Sequence, residues 1–168
     1  MRYFLIGFMG SGKTYWCRKW GEAFGINFYD LDEEIEKQEG KTIAAIFEEK
    51  GEEAFRKIER EMLKSFMKKD QFILSCGGGT PCFGNNMKKI NNEGISIYLK
   101  STAAELAQRL QNEKETRPLI AAMENGMLEE YITEKLKQRE HFYSKAMYHL
   151  PASTMSLDNF QKILRRHG

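Results

Sequence analysis

Long apolar runs are missing from this chain of 168 residues. No stretch approaches the ~20 residues that a membrane-spanning helix requires, so no membrane partner is expected. Charge of one sign is missing as well. Lys and Arg number 26 against 24 Asp and Glu, a net charge of +2, so nothing forces a nucleic-acid or anionic-surface partner and none is expected. Cysteine is scarce. Cys17, Cys76 and Cys82 are odd in number and show neither C-x-x-C nor zinc spacing, which argues against a disulfide framework and for reduced thiols in a cytoplasm. Packing is the plain reading of all three, with a metal or redox role for Cys76 and Cys82 as the alternative. Repeats, low-complexity tracts and linkers are lacking too, and the N-terminus is strand-like, not laid out as a signal peptide. A composition of 41% hydrophobic and 30% charged residues then suits one globular domain, residues 1–168, with a full core.

What is present begins with GFMGSGKT, Gly7 to Thr14. The apolar run Tyr3, Phe4, Leu5, Ile6 leads into it as a buried parallel strand does, and Tyr15 to Phe24 can continue it as a helix. Strand, G-x-x-x-x-G-K-[ST] loop and helix together form a phosphate site. Loop glycines let backbone N–H groups wrap phosphate oxygens, and the helix N-terminus adds unpaired donors and partial positive charge. Lys13 would reach the β- and γ-phosphates and the Thr14 hydroxyl would ligate Mg²⁺. A GTPase switch would also carry D-x-x-G and N-K-x-D segments, and neither occurs.

Strand candidates recur at 2–6, 26–29, 71–75 and 95–99, with a weaker one at 147–150, and helical patterns fill the gaps. This alternation predicts an α/β fold with a central parallel sheet of about five strands, covered on both faces. Ligands bind beyond the carboxyl ends of such strands. Three unusual stretches sit there: the loop after the first strand, Asp30-Leu31-Asp32 after the second, and Gly77-Gly78-Gly79 after the third. Asp30 and Asp32, two apart in an extended segment, would point to one side. They could hold Mg²⁺ or orient an attacking hydroxyl, or simply cap the helix that Glu33 to Glu36 begins. The glycine run is either a close backbone approach to a ligand or a flexible turn.

Residues 41–69 read as two helices broken at Gly51, the second with a stripe of Phe55, Ile58, Met62 and Phe66. Beside that stripe Arg56 is either half of a solvated pair with Glu52 or Glu59, or an arginine held by Glu59 and aimed at a substrate anion. Thr102 to Leu110 reads as a helix opened by a capping box of Thr102 and Glu105. The polar segment that follows, with Arg117 before Pro118, is a candidate lid over about 111–125. A helix over about 127–145 puts Ile132, Leu136 and Arg139 on one stripe, and an inward arginine needs an anion or must reach outward. The last stretch, 151–168, reads as a loop and a short basic amphipathic helix.

Taken together, GFMGSGKT, FYDLD, AFRKIE, SCGGG, RPL and QRE, in this order over nearly the whole chain, resemble shikimate kinase. The resemblance implies a P-loop kinase fold, three layers α/β/α with substrate-binding helices over about 30–60 and a mobile lid. It implies ATP-dependent phosphorylation of the shikimate 3-hydroxyl, with Mg²⁺, by a monomer. By the same resemblance Asp32 contacts the reacting hydroxyl and Asp30 lies on the Mg²⁺ side with Thr14. Arg56 and Arg139 hold the shikimate carboxylate with the turn of Gly77, Gly78 and Gly79, Glu59 orients Arg56, and Phe47 and Phe55 are pocket walls. Gly10, Ser11, Gly12, Lys13 and Thr14 hold the nucleotide, Arg109 borders adenine, and Lys13 and Arg117 stabilise the transferring phosphoryl group. Three features depart from the family pattern: Tyr15 after the loop hydroxyl, Thr80-Pro81 after the glycines, and the stretch from Ser153 to Asp158 where the family closes over adenine.

Overall fold

Side chains of the first strand alternate between two hydrophobic layers, and this alternation organises the fold. In the computed structural model, which describes residues 1–113 and 118–168, β1 (Arg2–Ile6) sends Phe4 and Ile6 to one face and Tyr3 and Leu5 to the other. Both faces are covered, so the strand reads as an unbroken apolar run. β2 (Phe28–Asp30), β3 (Phe72–Ser75), β4 (Ile95–Lys100) and β5 (Tyr148–Pro151) complete a sheet of order β2-β3-β1-β4-β5. Every pairing is parallel. Five strands were expected and five form, although β2 lies two residues later than the apolar pattern placed its start.

On one face α1 (Lys13–Phe24) and α8 (Leu157–His167) pack Cys17, Trp20, Phe160 and Ile163 against Tyr3, Leu5, Ile73 and Ile97. The Trp20 and Phe160 rings stack at 4.5 Å and join the two helices. The other face is covered by α2 (Leu31–Glu39), α3 (Ile43–Phe66), α4 (Asn86–Glu93), α5 (Ala103–Gln111) and α7 (Asn125–Tyr143), with the short α6 (Pro118–Ala121) between the last two. Helices on both faces of a parallel sheet make the three-layer α/β/α architecture.

The break at Gly51 is real. Two helices meet within α3 at Gly51, whose φ of 82° and ψ of 172° are non-helical values that no side-chain-bearing residue adopts easily. The expected cap of α5 also forms, with Thr102 accepting from the Glu105 N–H at 3.1 Å. Boundaries shift elsewhere. α1 starts at Lys13, not Tyr15, and α7 runs from 125 to 143. Arg117, and part of the stretch expected as a lid, lie outside the described residues. No helix among the described residues is long and apolar enough to cross a membrane.

Candidate active site

The order of strands puts β1 between β3 and β4, so the loops leaving β1 and β3 share one edge of the sheet. From β1 the chain enters the 7–12 loop, where Gly7, Gly10 and Gly12 all have positive φ. Gly12 is the N-cap of α1 and offers no capping side chain to its first N–H groups, so this helix start can turn its donors and partial positive charge to an anion. Lys13 is buried, and its Nζ donates to the carbonyls of Gly7 and Phe8, both at 2.8 Å. Its ammonium is thereby held at the centre of the loop. The Ser11 hydroxyl is buried without a hydrogen-bond partner among the described residues.

From β2 comes the carboxylate pair, by a route that differs from expectation. The extended segment ends at Asp30, and Asp32 is already in the first turn of α2. Alternation along a strand therefore does not align the two. They converge because Asp30 caps the helix, accepting from the N–H groups of Asp32 and Glu33 at 3.0 and 3.2 Å. The same carboxylate accepts from the Thr14 hydroxyl at 2.6 Å through its other oxygen, and Ser75 Oγ is 3.3 Å from Thr14. Asp30 is thus the cap of α2 and also the acceptor of the loop hydroxyl. Burial pushes the Asp32 carboxyl up to about 6, with the negative charges of Asp30 and Glu59 adding to the rise and Lys13 opposing it. A carboxylate held there is poised to accept a proton near neutral pH.

From β3 comes the glycine turn, and none of its three residues has positive φ. What forbids a side chain is proximity. A Cβ on Gly77 would lie 3.1 Å from Asp32 Oδ1 and 3.2 Å from Glu59 Oε2. On Gly78 it would lie 3.2 Å from Arg139 Nη1, and on Gly79 2.7 Å from Arg56 Nη2. The run clears space for four charged side chains gathered from α2, α3 and α7. The guanidinium groups of Arg56 and Arg139 thus meet at consecutive residues of one turn.

Arg56 is held from behind. Glu59, almost fully buried, accepts from Arg56 Nη1 at 2.9 Å through one oxygen and from the Thr80 hydroxyl at 2.7 Å through the other. The pair with Glu52 is longer, 3.5 Å, and Glu52 is exposed. The Phe83 ring lies 3.9 Å from the Arg56 guanidinium, Phe55 5.1 Å and Phe47 6.0 Å. Phe55 is core, 3% exposed, so it backs Arg56 and presents little wall to a ligand; Phe47, packed on it at 4.6 Å, is the more open of the two. On α7, Tyr143 lies one turn beyond Arg139 and donates its hydroxyl to the Gly78 carbonyl, which fixes the helix to the turn. Burial raises the Tyr143 phenol well above its usual range and keeps it a donor.

Lys13, Thr14, Asp30, Asp32, Ser75, Gly77 and Gly78 line one cavity of about 650 Å³, which Trp16, Arg109, Ala152, Ser153 and Met155 also border. Arg109 donates to the Gly10 carbonyl at 3.2 Å. The stretch from Ala152 to Met155 therefore reaches this cavity. Arg56 itself lines a second, larger depression of about 870 Å³, with Glu52, Glu53, Lys57, Arg60 and Phe83. No residue of the phosphate loop borders it. Sequence reasoning missed Thr80, Phe83 and Tyr143 as parts of the site. Only Thr80 carried a signal, a hydroxyl directly after the glycine run.

No group of three or more His, Cys, Asp or Glu able to hold a metal occurs among the described residues. Mg²⁺ takes one or two protein oxygens and completes its shell with water and substrate phosphates. Thr14 and Asp30 provide such hard oxygen donors at the mouth of the loop.

Comparison with known proteins agrees with this geometry. A family model described as "Shikimate kinase" matches residues 9–167. The shikimate kinase of Parabacteroides distasonis is 42% identical over 154 residues, 92% of this chain and 89% of that protein. That of Phocaeicola vulgatus is 38% identical over 173 residues, 98% and 99% of the two chains. Among solved structures, shikimate kinase from Bacteroides thetaiotaomicron superposes with a TM-score of 0.94 at 33% identity, covering 98% of each chain. Shikimate kinase from Acinetobacter baumannii in complex with shikimate gives 0.86 at 34% identity, covering 98% of this chain and 91% of that one.

Proposed function

The chain belongs to the shikimate kinase family, and on that premise we propose that it transfers the γ-phosphoryl group of ATP to the 3-hydroxyl of shikimate, giving shikimate 3-phosphate and ADP. One observation carries the choice of acceptor: two arginines from distant helices meet at Gly78 and Gly79, beside Asp32 and on the same sheet edge as Lys13. Forked, charge-assisted hydrogen bonds from Arg56 and Arg139 suit one carboxylate.

The division of labour follows from position. Gly10, Ser11, Gly12, Lys13 and Thr14 hold the triphosphate, and Arg109 with Trp16 borders the base. Thr14 and Asp30 would hold Mg²⁺, which when bound neutralises charge on the phosphate oxygens. Gripping the carboxylate fixes the ring, and Asp32 sets the 3-hydroxyl in line with phosphorus and receives its proton. Lys13, with Arg117 carried on a lid over about 111–125, stabilises the charge that spreads over the transferring oxygens. The proposal extends to one domain over 1–168 acting as a monomer in the cytoplasm. Support comes from the single sheet shared by both core layers and from three free cysteines, two of them buried.

The test is ADP release measured with shikimate, with quinate and with no acceptor. Release that depends on shikimate is expected. Release that ignores shikimate, or that rises equally with unrelated polyols, would reject the acceptor.

A further inference from the structure

We propose that the turn after the glycines, residues 80–83, is a positioning device that sets the aim of Arg56, through Thr80 and Phe83. The inference rests on the reading of Arg56 as a carboxylate grip. Glu59 has two oxygens and is 1% exposed. Arg56 takes Oε1 at 2.9 Å; Thr80, 0% exposed, donates to Oε2 at 2.7 Å. A buried carboxylate with one free oxygen can rotate or draw a second guanidinium nitrogen, and either motion turns the arginine away from the turn. The Thr80 hydroxyl removes that freedom by saturating the far oxygen. It is itself fixed, since Thr80 N donates to the Gly77 carbonyl at 3.1 Å and the Thr80 carbonyl accepts from Asn86 Nδ2 at 3.0 Å.

Phe83 acts on the same group from another side. Its ring lies 3.9 Å from the guanidinium carbon, closer than Phe55 or Phe47. A flat cation lying on a ring keeps its plane while its edge stays free for an anion. Thr80 therefore fixes the rotation of Arg56 through Glu59, and Phe83 fixes its plane. Neither residue touches the acceptor in this account.

The experiment is steady-state kinetics of Thr80→Val, Thr80→Ser and Phe83→Leu beside the wild type, varying shikimate and ATP separately, with thermal unfolding of each. Thr80→Val should raise the shikimate KM about 10-fold or more, because Arg56 loses its fixed aim at a charged partner. Its KM for ATP should stay within twofold. Thr80→Ser should restore the shikimate KM to within threefold of wild type, and Phe83→Leu should raise it about 3- to 5-fold. A shikimate KM within twofold of wild type in both Thr80→Val and Phe83→Leu overturns the inference, as does an equal rise in both KM values. Should Thr80→Val not fold, Phe83→Leu and Thr80→Ser decide by the same limits. A wild type inactive toward shikimate overturns the acceptor assignment and this inference with it; an active wild type with unaffected variants overturns the inference alone.

Discussion

Substituting Gly79 by alanine separates the binding role of the glycine turn from its folding role. Gly79 sits at φ −90° and ψ −12°, a conformation alanine adopts without strain. Its added Cβ would fall 2.7 Å from Arg56 Nη2, 2.9 Å from Nη1 and 3.0 Å from Cζ. Those atoms end a flexible side chain, so they can move by about 0.5–1 Å at modest expense, and the reduced freedom of the unfolded chain returns ~0.4–1 kcal/mol. Unfolding free energy should therefore change by less than about 1 kcal/mol. Binding should not be spared. A shift of that size, with the 2.9 Å contact to Glu59 retained, swings the edge of the guanidinium off its aim at an acceptor carboxylate. A hydrogen bond to a charged group is worth about 1.5–3 kcal/mol, so shikimate binding should weaken about 10- to 150-fold. Calorimetric titration with shikimate and urea unfolding, run on the same preparation, measure both quantities. Gly78→Ala is the contrast, because its Cβ would press the backbone nitrogen of Met9 at 3.3 Å as well as Arg139, and it should lose stability too. Undiminished shikimate affinity in a folded Gly79→Ala protein would refute the placing of Arg56 at the acceptor.

Asp32→Asn should abolish turnover and yet stabilise the ligand-free protein. The folded carboxyl titrates at about 6 against a usual 3.8, so its contribution to stability is full below about pH 4 and is lost as pH rises through 6. Removing the charge should then gain about 2–3 kcal/mol at pH 8 and little at pH 4; a melting temperature unmoved at pH 8, or activity near normal, would contradict this. Lys13→Met should lower kcat at least about 10²-fold in an ADP-release assay while the protein stays folded, and more than a tenth of normal activity would remove Lys13 from the chemistry. Gly21→Ala tests packing far from the site. Its Cβ would lie 2.3 Å from Phe28 Cδ1 and 2.8 Å from the Ile26 carbonyl, so destabilisation by about 2–3 kcal/mol is expected in urea unfolding, although alanine is the better helix former. A neutral result would mean that α1 and β2 do not pack as described.

Local chemistry alone determined much of this protein. A phosphate loop needs its glycines and lysine in fixed sequence positions, and covered strands must read as apolar runs, so Gly7 to Thr14 and β1, β3 and β4 were legible in the residues themselves, while the partly exposed β2 and β5 gave a shifted or weaker pattern. The break at Gly51 and the cap at Thr102 were legible for the same reason, since each depends on neighbours within one helical turn. Other features required the assembled fold. In the sequence Arg56 was as well explained by a solvated pair with Glu52, and Gly77 to Gly79 by a loose turn. Only packing decides that a residue from α3 and one from α7 reach the turn after β3, and that Thr80 and Phe83 hold the first of them in place. Such contacts join positions 21 to 65 residues apart, and a periodicity of two or of 3.6 residues carries no information over that range.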